Sequence, residues 1–221
     1  MAPTSPLLPF LLQSLLASSA WSKKTIPLEG HPWTLSNPAL NVSVPASLPS
    51  QAHLDLYAAG VIGDPYHDLN DFNLRWVAWN NWTYTSGPIE GLSSSPSGQS
   101  NDSSSNGSTW LVFDGLDTFV EISFCGRPVG RAGNQFRQWW FDVSQILADG
   151  CVEEDAVIEL NFGSATKIAD QIAEQPGQRT WPQGVQQVFE FPNRWFIRYV
   201  NLTVRFVQSS SGTASGFKLN E

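Results

Sequence analysis

Three stretches of the chain alternate apolar and polar residues one by one, a pattern that suits a half-buried strand and no helix. In 118–124, Val120, Ile122 and Phe124 share one face, with Glu121 and Ser123 on the other. In 157–162, Ile158, Leu160 and Phe162 oppose Glu159 and Asn161. In 200–206, Val200, Leu202, Val204 and Phe206 oppose Asn201, Thr203 and Arg205. A further run, 110–113, leads through the turn pair Asp114-Gly115 into the first of these. Many short strands separated by turn residues predict a β-sandwich or jelly roll.

Helical signals are few. Ser50 is placed to cap a helix over 51–59 that Gly60 closes, and Ser164 to cap a second over 165–175 that Pro176-Gly177 stops. Ile168 and Ile172 form the apolar stripe of the second. The expected fold is therefore all-β with two short peripheral helices. From 93 to 108 the residues are almost all Ser, Gly, Asn, Pro, Gln and Asp, which leaves nothing apolar to bury and predicts a disordered surface loop. The Ser/Gly-rich start of 208–221 predicts a flexible tail. Without repeat or linker, a single domain is expected over 25–207, long enough to bury a sizeable core.

The chain opens on an apolar run, 7–16, interrupted by Pro9 and Gln13 and followed by Ala17, Ser18, Ser19 and Ala20. Ser18 and Ala20 fit the small-x-small pattern of signal cleavage, so 1–20 is expected to be a signal peptide. The run falls short of the roughly 20 apolar residues that span a bilayer. A buried amino-terminal helix is the competing reading, which Pro9 fits less well. Five N-x-[ST] sites, at Asn41, Asn81, Asn101, Asn106 and Asn201, agree with a secreted, extracellular glycoprotein. In an oxidising compartment Cys125 and Cys151 pair, or they stay as two buried thiols; the sequence leaves both open. Neither has metal-ligand spacing, and His31, His53 and His67 are scattered, so no metal site and no cofactor is expected. A net charge of −8 argues against nucleic acid or an anionic membrane as partner. Nothing in the sequence fixes an oligomeric state.

Several longer segments carry a resemblance. Val44-Pro-Ala-Ser-Leu-Pro-Ser50 runs into 53–66, which ends in Asp64-Pro-Tyr66. It resembles the segment of β-mannosidases (glycoside hydrolase family 2) in which a Val-Pro turn precedes a short helix and an Asp-Pro-aromatic loop. Residues 76–84 look like the following family strand with its Trp-x-Tyr, here Trp82-Thr-Tyr84. Leu111-Val-Phe-Asp-Gly-Leu-Asp-Thr118 is similar to the family's strand pair, and the likeness continues through 126–130, 134–136 and 141–144. Phe191-Pro-Asn-Arg-Trp-Phe-Ile-Arg198 resembles the stretch leading to the family's substrate-side loop. The resemblance covers about 28–198. It implies a jelly-roll, galactose-binding-like domain that, in the full-length enzyme, lies beside a (β/α)8 barrel acting on terminal β-linked mannose of manno-oligosaccharides and glycans.

The chemistry of such an enzyme is not within these residues. Retaining glycoside hydrolysis takes two carboxylates about 5 Å apart, which the family carries on its barrel. A barrel needs about 250 residues, and the sandwich occupies nearly all of this chain. The family's acid/base signature is an Asn-Glu pair, found here only as the terminal Asn220-Glu221. Glu121 and Glu159 fall on polar strand faces, and Glu153-Glu154 precede a strand. Glu190, between Phe189 and Phe191, is either a solvated carboxylate alternating with two core rings or one whose pKa those rings raise. No nucleophile elbow or Ser/His/Asp order suggests another hydrolase. After Arg198 the family continues into Gly-Trp-Asp-Trp-Gly-Pro, whereas this chain passes directly to Tyr199-Val-Asn-Leu-Thr-Val204. No catalytic or sugar-contact residue carries over.

Trp79, Trp82, Trp139, Trp140, Trp181 and Trp195 offer stacking faces for sugar, or core and inter-domain packing surface. Adjacent rings at 139 and 140 point to opposite sides of a strand, which predicts one of them exposed. Rings facing an absent barrel would leave an apolar patch. Three functional readings follow: the amino-terminal domain of a secreted β-mannosidase-like hydrolase, inactive alone; a free-standing secreted carbohydrate-binding module; or a purely structural fragment with no ligand.

Overall fold

The structure, a computed structural model, describes residues 23–92, 108–177 and 204–209. Ten strands among them are β1 (Lys23–Pro27), β2 (Trp33–Asn37), β3 (Val42–Ala46), β4 (Trp82–Ser86), β5 (Ser108–Phe113), β6 (Val120–Phe124), β7 (Arg127–Ala132), β8 (Trp139–Asp142), β9 (Ile158–Phe162) and β10 (Val204–Ser209). They form two antiparallel sheets, one in the order β1-β10-β5-β8 and one in the order β3-β2-β4-β9-β6-β7. Apolar residues of the inner faces meet between them. Phe124 of the six-stranded sheet lies against Phe206 of the four-stranded one, with ring centroids 5.5 Å apart and neither exposed. Leu35, Leu111, Phe113, Ile158 and Leu160 complete the fully buried layer. Each such side chain contributes about 1.5–3 kcal/mol relative to exposure. The sandwich expected from the alternating runs is the fold observed.

The alternation reads correctly at residue level. Val120, Ile122 and Phe124 are buried while Glu121 is exposed and paired with Arg131 at 2.7 Å. Ile158 and Leu160 are buried and Phe162 half-buried. The start of the third run, 200–203, lies outside the described residues, but Phe206 is fully buried as expected.

Boundaries differ from expectation at both ends. β1 begins at Lys23, and β10 continues to Ser209, where Gln208 and Ser209 pair with Lys24 and Lys23. Those two polar residues are strand rather than tail, because an inner strand supplies backbone partners on both sides. Likewise Ser108 opens β5, paired with Ser209, and is not loop. The rest of the expected loop, 93–107, and the proposed signal, 1–20, lie outside the described residues.

There are five short α-helices among the described residues, where two were expected. They are α1 (Ala52–Ala58), α2 (Asn70–Asn73), α3 (Arg75–Ala78), α4 (Ser144–Ala148) and α5 (Ala165–Ala173). The stretch 76–84, expected as strand throughout, is helical at Arg75–Ala78 and becomes strand only at Trp82. Ser164 does cap α5, its hydroxyl accepting from the Lys167 N–H at 3.3 Å. Ser50 does not cap α1. Gln51 occupies that position without a side-chain bond, while the Ser50 hydroxyl donates to Asp55 instead. Gly60 closes α1 as expected. At φ +71° its N–H reaches the Tyr57 carbonyl, and the Val61 N–H reaches that of Leu56, a Schellman ending.

Candidate functional site

Among the described residues, polar groups converge on a cavity of about 290 Å³ at the junction of α1, α3, β4 and the start of α5. Its aromatic wall comes from Trp82 and Tyr84, on the inward face of β4, and from Phe162 at the end of β9. Tyr84 meets Phe162 edge to face, with centroids 6.0 Å apart at 81°. The Trp82 indole donates to the Val77 carbonyl at 2.7 Å, which locks the ring to α3. Period two puts Trp82, Tyr84 and Ser86 on the same side of β4, and all three are buried.

Behind that wall sits a buried carboxylate. Asp55 is 4% exposed and accepts from the Tyr84 hydroxyl at 2.8 Å, the Ser50 hydroxyl at 2.8 Å and the Ser47 N–H at 3.3 Å. Burial raises its pKa above the ordinary carboxylate value, and the three hydrogen bonds oppose that shift. Burial, then the Asp55 charge and hydrogen bond, push the Tyr84 phenol well above its usual value. The cluster fastens the 47–50 turn and α1 to the sheet, and this accounts for both groups structurally.

The polar lining comes from four places. Ser50, Gln51 and His53 stand at the start of α1, Asn80 follows α3, Asp117, Thr118 and Gln135 come from loops, and Ser164 precedes α5. The Asn80 amide donates to the Trp76 carbonyl at 2.6 Å. Ser164 is buried; its hydroxyl donates to the Ala78 carbonyl at 2.8 Å and its N–H to the Asn81 Oδ1 at 2.9 Å. The Thr118 hydroxyl donates to Asp117. His53 is half-buried, and burial lowers its pKa against the opposing effect of a hydrogen bond to the Leu74 backbone. Among the described residues the lining holds one carboxylate, Asp117, and no Lys or Arg.

The sequence-derived sites are dispersed. Asn41 is exposed, in the left-handed region at φ 53°, where a short 3-10 turn ends before β3. Asn81 is exposed and spends its carbonyl oxygen on Ser164. Asn101, Asn106, Asn201 and Glu190 lie outside the described residues, as do Trp181, Trp195 and 191–198. Cys125 and Cys151 are joined by a disulfide, with Cα atoms 6.0 Å apart. Cys125 and Gly126 both have positive φ and form the two-residue turn between β6 and β7, so the bridge ties that hairpin to the segment after α4. His31 contacts the Gly87 carbonyl and His67 the side chain of Asp68, far from forming a cluster. Among the described residues no group of three His, Cys, Asp or Glu could hold a metal.

Trp139 and Trp140 are both half-buried, which corrects the expectation of one exposed ring. Trp139 stacks on Phe141, its neighbour on the same face, at 4° and 6.4 Å, and Arg137 lies 4.4 Å from its ring. The Trp140 indole donates to Gln138. Large exposed apolar side chains do occur elsewhere: Tyr66, Leu69 and Phe72 are more than half exposed, and Leu54, Tyr57 and Val61 precede them. Gln51, Asn80 and Gln135 gave no sequence signal, since amides in turns are ordinary.

The family described as glycosyl hydrolase 2 galactose-binding domain-like matches residues 33–209. Beta-mannosidase A of Aspergillus terreus is 58% identical over 166 residues, covering 75% of this chain and 16% of the relative. Beta-mannosidase A of Emericella nidulans is 47% identical over 188 residues, covering 84% of this chain and 18% of the relative. The chain thus spans about one sixth of the length of these curated relatives. The crystal structure of a beta-D-mannosidase from Dictyoglomus thermophilum superposes with a TM-score of 0.65 at 23% identity, over 83% of this chain and 22% of that one. That likeness concerns the fold.

Proposed function

The chain belongs to the glycosyl hydrolase 2 galactose-binding domain-like family, and from that premise we propose that it serves as the non-catalytic amino-terminal domain of a secreted β-mannosidase. The observation that carries this reading is high identity confined to one sixth of the relatives' length. Their catalytic part lies beyond the matched stretch. Within the described residues the cavity offers one lining carboxylate, Asp117, where glycoside hydrolysis takes two. The substrate of the whole enzyme would be a terminal β-mannoside of a manno-oligosaccharide or glycan. The exposed Tyr66, Leu69 and Phe72 are the surface we assign to contact with the rest of such an enzyme.

Secretion and glycosylation belong to the same proposal. The apolar run and small-residue exit at 7–20 support the first, and the exposure of Asn41 and Asn81 supports the second. Sequencing the transcript beyond the codon for Glu221 tests the reading. An in-frame (β/α)8 barrel with two glutamates is expected, and a true stop with no such coding sequence would favour a separate carbohydrate-binding module. Intact mass before and after N-glycan removal, with amino-terminal sequencing, checks cleavage after Ala20 and occupancy of the sequons.

A further inference from the structure

Among the described residues the two sheets have four outer strands, β1 and β8 in one and β3 and β7 in the other. An outer strand presents unpaired backbone groups, and charged side chains along it discourage pairing with another chain. Three of the four carry such charges: Lys23 and Lys24 in β1, Arg127 and Arg131 in β7, and Asp142 in β8. β3 reads Val42-Ser-Val-Pro-Ala46 and has none. Ser43 and Pro45 are exposed on it. Pro45 has no N–H, which a strand accommodates where that group would face solvent. The period of two then leaves the Ser43 N–H pointing outward from the edge.

The uncharged outer strand is also the one that a sequon overlaps. Asn41 immediately precedes β3, and Ser43 within the strand supplies the sequon hydroxyl. Asn41 is exposed and ends the 3-10 turn Pro38–Leu40 at φ 53° and ψ 41°, its backbone N–H held by the Pro38 carbonyl at 3.1 Å. At about 3.4 Å per strand residue, Ser43 and Pro45 lie about 7 and 14 Å from Asn41, within the sweep of a branched chain of several sugar rings. The other described sequon borders no free edge: Asn81 leads into β4, an inner strand, and its Oδ1 accepts from the Ser164 N–H at 2.9 Å.

We propose that an N-linked glycan on Asn41 covers the free edge of β3 and keeps it from pairing with β3 of a second copy of this chain.

The inference rests on the export reading above. In the transfer, Asn41 Nδ2 loses a proton and bonds the anomeric carbon of a lipid-linked oligosaccharide, whose lipid diphosphate leaves. The product is bulky, hydrated and uncharged, and it obstructs a strand approaching along 43–45. A second copy is the occupant that the edge itself specifies, because two β3 strands can face one another antiparallel about a two-fold axis.

Secretion of the full chain from a yeast host tests this. The tryptic peptide 25–75, in which Asn41 is the only sequon, should carry a glycan. Asn41 bare on an exported chain whose other sequons are glycosylated would overturn the inference alone. A chain neither exported nor glycosylated anywhere would overturn the export reading and the inference with it. Sedimentation velocity then compares two variants that both destroy the sequon at an exposed position. Ser43→Ala should tighten self-association by about tenfold or more. Ser43→Lys gives the edge a charge of the kind β1 and β7 carry, and should stay as monomeric as wild type. The apolar side chains exposed over 54–72 are the same in all three chains, so only differences are read. Thermal unfolding checks that each chain is native, and endoglycosidase trimming of folded wild type repeats the Ser43→Ala comparison without a substitution. Self-association unchanged in Ser43→Ala and in trimmed wild type, or as strong in Ser43→Lys as in Ser43→Ala, would overturn the proposal.

Discussion

Replacing Cys125 and Cys151 together by Ser cuts the covalent link between the β6–β7 turn and the segment after α4. The two residues are 26 apart in sequence. Closing a loop of that length restricts the unfolded chain by an entropy worth about 3.5 kcal/mol at room temperature. Local contacts do not substitute for the bridge. The nearby Arg127–Asp149 pair, 2.8 Å apart, is about half exposed on both sides and screened by solvent. Position 125 also retains φ 54°, a left-handed conformation that a Ser adopts no more readily than Cys, so the turn keeps its strain without its tether. For a domain of this size a loss of about 3.5 kcal/mol lowers Tm by roughly 7–14 °C. Calorimetry of wild type and double variant, with thiol titration of the native wild type, measures this. A Tm within about 2 °C of wild type, or two titratable thiols in the native protein, would refute the reasoning.

Tyr84→Phe removes the hydroxyl that Asp55 accepts at 2.8 Å in a buried site, and should cost about 1.5–3 kcal/mol. Urea titration should show a lower midpoint with an unchanged slope. His53→Gln tests a pH dependence whose sign follows from burial. The folded-state pKa of His53 lies below 6.5, so below pH 6.5 the unfolded chain takes up a proton that the folded one refuses. Stability is then lost as pH falls from 6.5 to the folded pKa. The variant should flatten that part of the stability curve measured by denaturant titration, leaving the curve above pH 7 parallel to wild type. Asp55 acts in the opposite sense, because its raised pKa makes stability fall as pH rises above the ordinary carboxylate value.

What was legible in the sequence was what depends on near neighbours. Val120, Ile122 and Phe124, or Ile158 and Leu160, alternate because one face of each strand is buried, and alternation survives without knowledge of the partner strand. Ser164 and Gly60 were readable because an N-cap and a Schellman ending are satisfied within a few residues. Ser50 misled because its hydroxyl had a better partner, the Asp55 carboxylate, whose burial is a tertiary fact. Helices α2 to α4, of four or five residues, are too short to display a helical period. Gln208 and Ser209 looked like tail because their strand character is supplied by β1 and β5, far away in sequence. The cavity was illegible for the same reason. Gln51, Asp117, Gln135 and Ser164 come together only through the sandwich, and each taken singly is an ordinary turn residue.

We propose that this chain, which carries the galactose-binding-like fold, does not by itself hydrolyse a β-mannoside. Incubating the purified chain with 4-nitrophenyl β-D-mannoside tests it directly. Nitrophenol release should be indistinguishable from that in buffer. Turnover that co-purifies with the chain and is abolished by Glu190→Gln or Asp117→Asn, in variants that remain folded, would contradict it.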